Sequence, residues 1–139
     1  MIAMSFIPNL IYPIKGEKGS EIPDILAKAI QERGLRGGII IAIGGLRRAE
    51  IGVYDREKGT YSVESFEAEK GETLEVAPLI GNYMITSKGG LSIHLHINIS
   101  SRSAMASGHL VKGIVDPFLE AFLIEAGDVV KEAFTHRDI

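Results

Sequence analysis

Three histidines offer the most specific chemistry that the residue types and spacing of this chain allow. His94 and His96 stand in Gly90-Leu91-Ser92-Ile93-His94-Leu95-His96-Ile97-Asn98-Ile99-Ser100. Leu91, Ile93, Leu95, Ile97 and Ile99 share one face, while Ser92, His94, His96, Asn98 and Ser100 share the other. Strict period-two alternation predicts a half-buried β-strand and excludes an amphipathic helix. Residues i and i+2 of a strand are roughly 6.5 Å apart, so two imidazoles leaning together can direct nitrogens at one metal ion. His109, in Ser107-Gly108-His109-Leu110-Val111, is the candidate third ligand. A turn centred between Ser101 and Arg102 sets His109 opposite His94. Moving the turn by one whole residue sets it opposite His96, and the three still converge. A one-residue slip in the pairing would send His109 to the apolar face beside Leu95 and break the constellation.

Three neutral imidazoles with an open fourth position suit a catalytic or ligand-binding zinc better than a closed structural site. The plainer alternative is that polar residues on the exposed face of a strand serve solubility alone. His136, in an Arg- and Asp-containing tail, reads as solvated. Glu75, Glu120 and Glu125 lie in apolar strands, where an ionised carboxylate needs a partner or solvent. Glu75 and Glu120 are the candidate proton carriers beside a metal-bound water, should the chain be an enzyme. Arg33, Arg36, Arg47 and Arg48 could form a basic patch or stand separately as solvated turn residues.

The elements that must position these residues follow from the same patterning. Asn9 to Ile14 is an expected first strand, with Pro13 fitting an edge. Ile22, Ile25, Leu26, Ala29 and Ile30 make one helical stripe, with Ser20 as expected N-cap, Pro23 in the first turn and Gly34 closing it. Gly37 to Gly45 is a β-branched run bounded by glycines. The segments 49–54 and 61–66 flank the polar turn at 55–60 and read as a hairpin. A strand over 74–83 is interrupted by Pro78 and Gly81, and a last one covers 118–125. The tail over 129–139 has no readable pattern. The expected fold is α+β: one domain over 1–139 with its core at about 10–125, mostly antiparallel sheet packed on one main amphipathic helix.

The 139 residues are 45% hydrophobic and carry a net charge of −3, as in a soluble globular protein rather than a general phosphate-backbone reader. Without cysteine, thiolate catalysis, disulfides and Cys-ligated metal sites are excluded. No stretch has signal-peptide character or membrane-spanning length, so the expected location is cytoplasmic. The glycine-rich phosphate loops, the G-x-S-x-G elbow and H-E-x-x-H are missing.

Taken together, Ser92-Ile93-His94-Leu95-His96 followed by Gly108-His109-Leu110 resembles the plants-and-prokaryotes-conserved (PPC) domain, whose prokaryotic members carry His-x-His and then Gly-Gly-His-Leu. Gly44-Gly45-Leu46-Arg47-Arg48-Ala49, Val53-Tyr54-Asp55, Leu79-Ile80-Gly81-Asn82 and Pro117-Phe118-Leu119-Glu120 extend the match from about Leu10 to Glu125. The resemblance implies an α+β homotrimer with zinc on His94, His96 and His109, and DNA or a regulatory protein as partner by family analogy, for which Arg47 and Arg48 are the candidate nucleic-acid contacts. A zinc-dependent hydrolase or hydratase acting on a small molecule is the alternative. Ser107 replaces the first glycine of Gly-Gly-His-Leu. The plant partner segment Gly-Arg-Phe-Glu-Ile-Leu corresponds to Gly71-Glu72-Thr73-Leu74-Glu75-Val76, which keeps only its glycine and glutamate. No Arg-Gly-Arg-Pro hook occurs, so the family's established DNA-reading element is missing here.

Overall fold

The alternation that marks the histidine stretch recurs along most of the chain, and the backbone follows it. The computed structural model describes residues 10–139; Asn9, first residue of the expected opening strand, lies outside them. In chain order the elements are β1 (Ile11–Glu17), β2 (Glu21–Ile22), α1 (Asp24–Glu32), β3 (Gly37–Asp55), β4 (Thr60–Glu67), β5 (Leu74–Ile85), β6 (Leu91–Ser100), β7 (Met105–Glu125) and α2 (Val129–Ala133), then a 3-10 turn at Thr135–Arg137. The strands form one seven-stranded sheet in which every pairing is antiparallel, ordered β1-β7-β6-β5-β3-β4 with β2 on β7. Because β7 also pairs with β3, the strands β3, β5, β6 and β7 close into a ring. Closure removes the free edges that four strands of this length would otherwise expose.

Inward positions fill the ring and the space under α1. Ile40, Leu46, Leu74, Leu79, Leu119 and Leu123 have no accessible surface, and α1 adds Leu26 and Ile30. Glu125 finds the partners that a carboxylate at this depth requires: the Arg36 and Gly37 amides donate to it at 2.8 and 3.1 Å, and the Tyr83 hydroxyl at 2.8 Å. Burial, then the bond to Glu125, pushes the Tyr83 hydroxyl well above the usual phenol range. Among the described residues, no helix is long and apolar enough to cross a membrane.

Four local expectations are corrected. The segments 37–45 and 49–54 are parts of one 19-residue strand, and those at 107–111 and 118–125 are parts of one 21-residue strand. Register shifts around Gly44, Leu46 and Glu50 carry the pairing through the glycines, and Pro117 falls in a stretch of β7 left unpaired with β3. Likewise β5 runs through Pro78 and Gly81. Pro78 sits in a register shift, and a Cβ at Gly81 would run into the His94 carbonyl. Ser20 does not cap the helix; Glu21 and Ile22 pair with Ile114 and Gly113, so α1 starts only at Asp24, with Pro23 before it. Burial of Ile22 under the sheet outweighs a side-chain cap, which is worth roughly 1 kcal/mol.

Candidate metal centre

The hairpin of β6 and β7 is closed by the Ser101 amide donating to Ala104 O at 2.8 Å. Its register pairs Ser100 with Met105 and His96 with His109, the second of the two turn placements that bring the histidines together. Leu95 and Ile97 point inward, which turns His94 and His96 out. Gly108 lets β7 reach His109 at this point: its φ is +154°, and a Cβ there would lie 2.7 Å from the Gly52 carbonyl oxygen on β3.

The three rings converge. Their centroids are 5.0 Å apart for His94 and His96, 5.3 Å for His94 and His109, and 6.0 Å for His96 and His109. One nitrogen from each lies within 4.8 Å of the others. Tyr61 of β4 stacks on His109 at 4.8 Å, and Tyr54 meets Tyr61 edge-on. Burial lowers the proton affinity of His94 below the usual imidazole value, and the neighbouring charges of His96, His109, Arg137 and His136 lower it further. His109 shifts the same way, by burial and then by His96. Imidazoles held neutral keep the lone pairs a cation needs.

The residues fit such a cation. His109 Nδ1 is buried and has no hydrogen-bond partner, an arrangement that leaves a polar atom unsatisfied unless something further binds. Three converging imidazoles can hold a metal ion with coordination positions to spare.

The C-terminal turn forms one wall. Arg137 Nε donates to Ser92 Oγ at 3.1 Å, Nη2 to Ser92 O and Oγ, and Nη1 to Asn82 Oδ1. Asn82 is the cross-strand partner of His94. The Ser87 amide and hydroxyl donate to Asp138, which pins the tail further. His136 is exposed, as expected. Sequence reading missed Arg137, Asn82 and Tyr61 as parts of the site.

The other candidates lie elsewhere. Glu75 is exposed opposite Ser100 and Gly45, and Glu120 is exposed opposite Lys15 and Ile43, so neither carboxylate neighbours a histidine. The arginines are engaged separately. Arg48 donates to Glu67 and to Ser65, Arg36 pairs with Asp128 at 3.2 Å, and Arg33 lies over the Tyr12 ring. Arg47 is exposed.

Residues 9–127 match the model of the Plants and Prokaryotes Conserved (PCC) domain. The chain belongs to that family. Among solved structures, this PCC domain is similar to a plant- and prokaryote-conserved protein of Pyrococcus horikoshii, with 28% identity, 83% of this chain and 77% of that one covered, and a TM-score of 0.74. A metal-containing protein of Archaeoglobus fulgidus shares 26% identity over 92% of this chain and 88% of that one, at a TM-score of 0.76. A provisionally DNA-binding protein of Bacteroides thetaiotaomicron shares the fold at 21% identity, covering 86% and 80%, with a TM-score of 0.77. Among curated proteins none matches the sequence.

Proposed function

We propose that this PCC domain is a homotrimeric binding module whose working element is a zinc ion held by His94, His96 and His109. The observation that carries the reading is the convergence of three imidazole nitrogens within 4.8 Å, one ring of which has a buried, unpartnered nitrogen. The metal content of the Archaeoglobus relative supports it. An ion bound there would supply a Lewis-acidic open position; burial disfavours the charged forms of His94 and His109, and Tyr61 and Arg137 wall the site.

Binding is favoured over hydrolysis or hydration because, among the described residues, no carboxylate joins the histidines. Glu75 and Glu120, the two that could have moved a proton, lie on other parts of the sheet. A DNA or regulatory-protein contact, the role analogy suggests, would rest on Arg47, since Glu67 and Glu50 take up the charge of Arg48.

Trimer assembly is supported by a row of outward side chains. Pro13 pairs with Phe122 and Phe122 with Ile41 across β1, β7 and β3. Phe122 and Ile41 keep 47% and 40% of their surface exposed, a contiguous apolar strip that a second and third copy would cover. Pro13, Ile41 and Phe122 also line an open groove of about 820 Å³.

The test is metal analysis of the untagged protein beside the His94→Ala/His109→Ala variant, with the oligomer mass of both. Near-stoichiometric zinc in the wild type, lost in a variant that keeps the trimer mass, supports the reading. A wild type that takes up no zinc on dialysis, or a monomer mass, overturns the corresponding half.

A further inference from the structure

We infer that Arg137 and the three histidines form one site for a small organic carboxylate. The inference rests on the metal reading of His94, His96 and His109 and names what would occupy the open side of it. Ser92 and His94 point to the same side of β6, and Asn82 stands directly across from His94. Arg137 is bonded to both Ser92 and Asn82, so its guanidinium is held on the face of the sheet that carries His94.

Every acceptor that holds Arg137 is neutral: a hydroxyl, a backbone carbonyl and an amide oxygen. Among the described residues no carboxylate pairs with it, and the next residue, Asp138, accepts from Ser87 instead. The cost of a partly buried, unpaired cation is removed when an anion lies beside it. Bonds to Ser92 and Asn82 leave one Nη1 N–H without an acceptor, and they fix the plane in which it points. The chain thus sets a rigid cation next to a cation-binding triad and places no acid among them.

The remaining walls select the rest of the ligand. Tyr61 lies flat on His109, and Ile80, half-exposed, stands opposite His96. Those surfaces favour an organic body over a fully hydrated phosphate. A carboxylate with a short apolar tail matches all three features: one oxygen for the open position, the other for the free N–H of Arg137, and the tail against Tyr61 and Ile80.

The experiment uses the full chain loaded with Co(II), whose visible bands report on ligands at the histidines. Propionate, propionamide and inorganic phosphate are titrated, with calorimetry as a second readout. Propionate is expected to shift the bands and propionamide to leave them unchanged, with phosphate binding more weakly than propionate. Arg137→Gln should weaken propionate at least ~10-fold, or about 1.4 kcal/mol, and Arg137→Lys, which keeps the charge without the fork, by less. Melting temperature and Co(II) content of both variants separate loss of the site from loss of the fold. Propionate binding that is absent, equal in wild type and Arg137→Gln, or weaker than phosphate overturns the inference while the metal reading stands. Failure of the wild type to take up Co(II) overturns both.

Discussion

The two halves of β7 follow the same in-and-out rule and end in different environments. In the first half Met105, Ser107 and His109 point outward, beside the polar face of β6 and the tyrosines of the β3–β4 hairpin. In the second half Phe118, Glu120 and Phe122 point outward, beside Ile41 and Ile43 of β3 and Pro13 and Lys15 of β1. One strand therefore contributes a histidine of the triad at one end and an exposed apolar surface at the other. What an outward residue does is set by the strands on either side of it, and β7 changes neighbours along its length.

This contrast can be broken from either end. The largest effect is expected from the histidine end, where His94→Ala/His109→Ala should abolish metal uptake and leave the oligomer mass unchanged. Ile41→Asp/Phe122→Asp should do the reverse, reducing the oligomer to monomers in light scattering while the monomer still takes up zinc. A variant that loses both together would show that the two ends are not separable. Gly108→Ala should destabilise the hairpin by more than ~1 kcal/mol in urea unfolding, because the new Cβ meets the Gly52 carbonyl at a backbone angle alanine resists. Tyr83→Phe should cost about 1–3 kcal/mol by removing a hydroxyl bonded to the Glu125 carboxylate, with metal content unaffected.

The smallest effect is on pH. Burial holds His94 and His109 below the usual imidazole value of 6.5 in the folded chain. Below about that pH the unfolded chain binds more protons than the folded one, so the stability these residues contribute is complete above it and falls as pH drops toward their folded values. The melting temperature of metal-free protein should decline through that window. In His94→Ala/His109→Ala the decline should be shallower.

How much of this was legible beforehand varies with the range of the interaction responsible. His94 and His96 could be assigned to one outward face because Leu95 and Ile97 alternate with them, a pattern set by strand geometry alone. His109 could be placed beside them only as one of two turn registers, and the pairing with His96 was decided by how β7 also meets Gly52 of β3. Glu120 shows the limit more sharply. His109 and Glu120 have opposite parity in the sequence, yet both point outward, because the register shifts between them reset the alternation. Gly44, Gly45 and Pro117 looked like strand ends, whereas long-range pairing carries β3 and β7 through them. Arg137 was beyond reach, since a tail without periodicity gives no hint of where it folds back.

The sequence by itself determined the sheet-rich character, the inward and outward faces of β6, the absence of any thiolate chemistry and a triad confined to imidazole. Those properties follow from side-chain type and from backbone repeats a few residues long. Tertiary structure alone decided which turn register the hairpin adopts, that the carboxylates stay apart from the histidines, and that Arg137 closes one side of the site. Those depend on contacts between segments far apart in the chain, where packing of the whole ring outweighs any local preference.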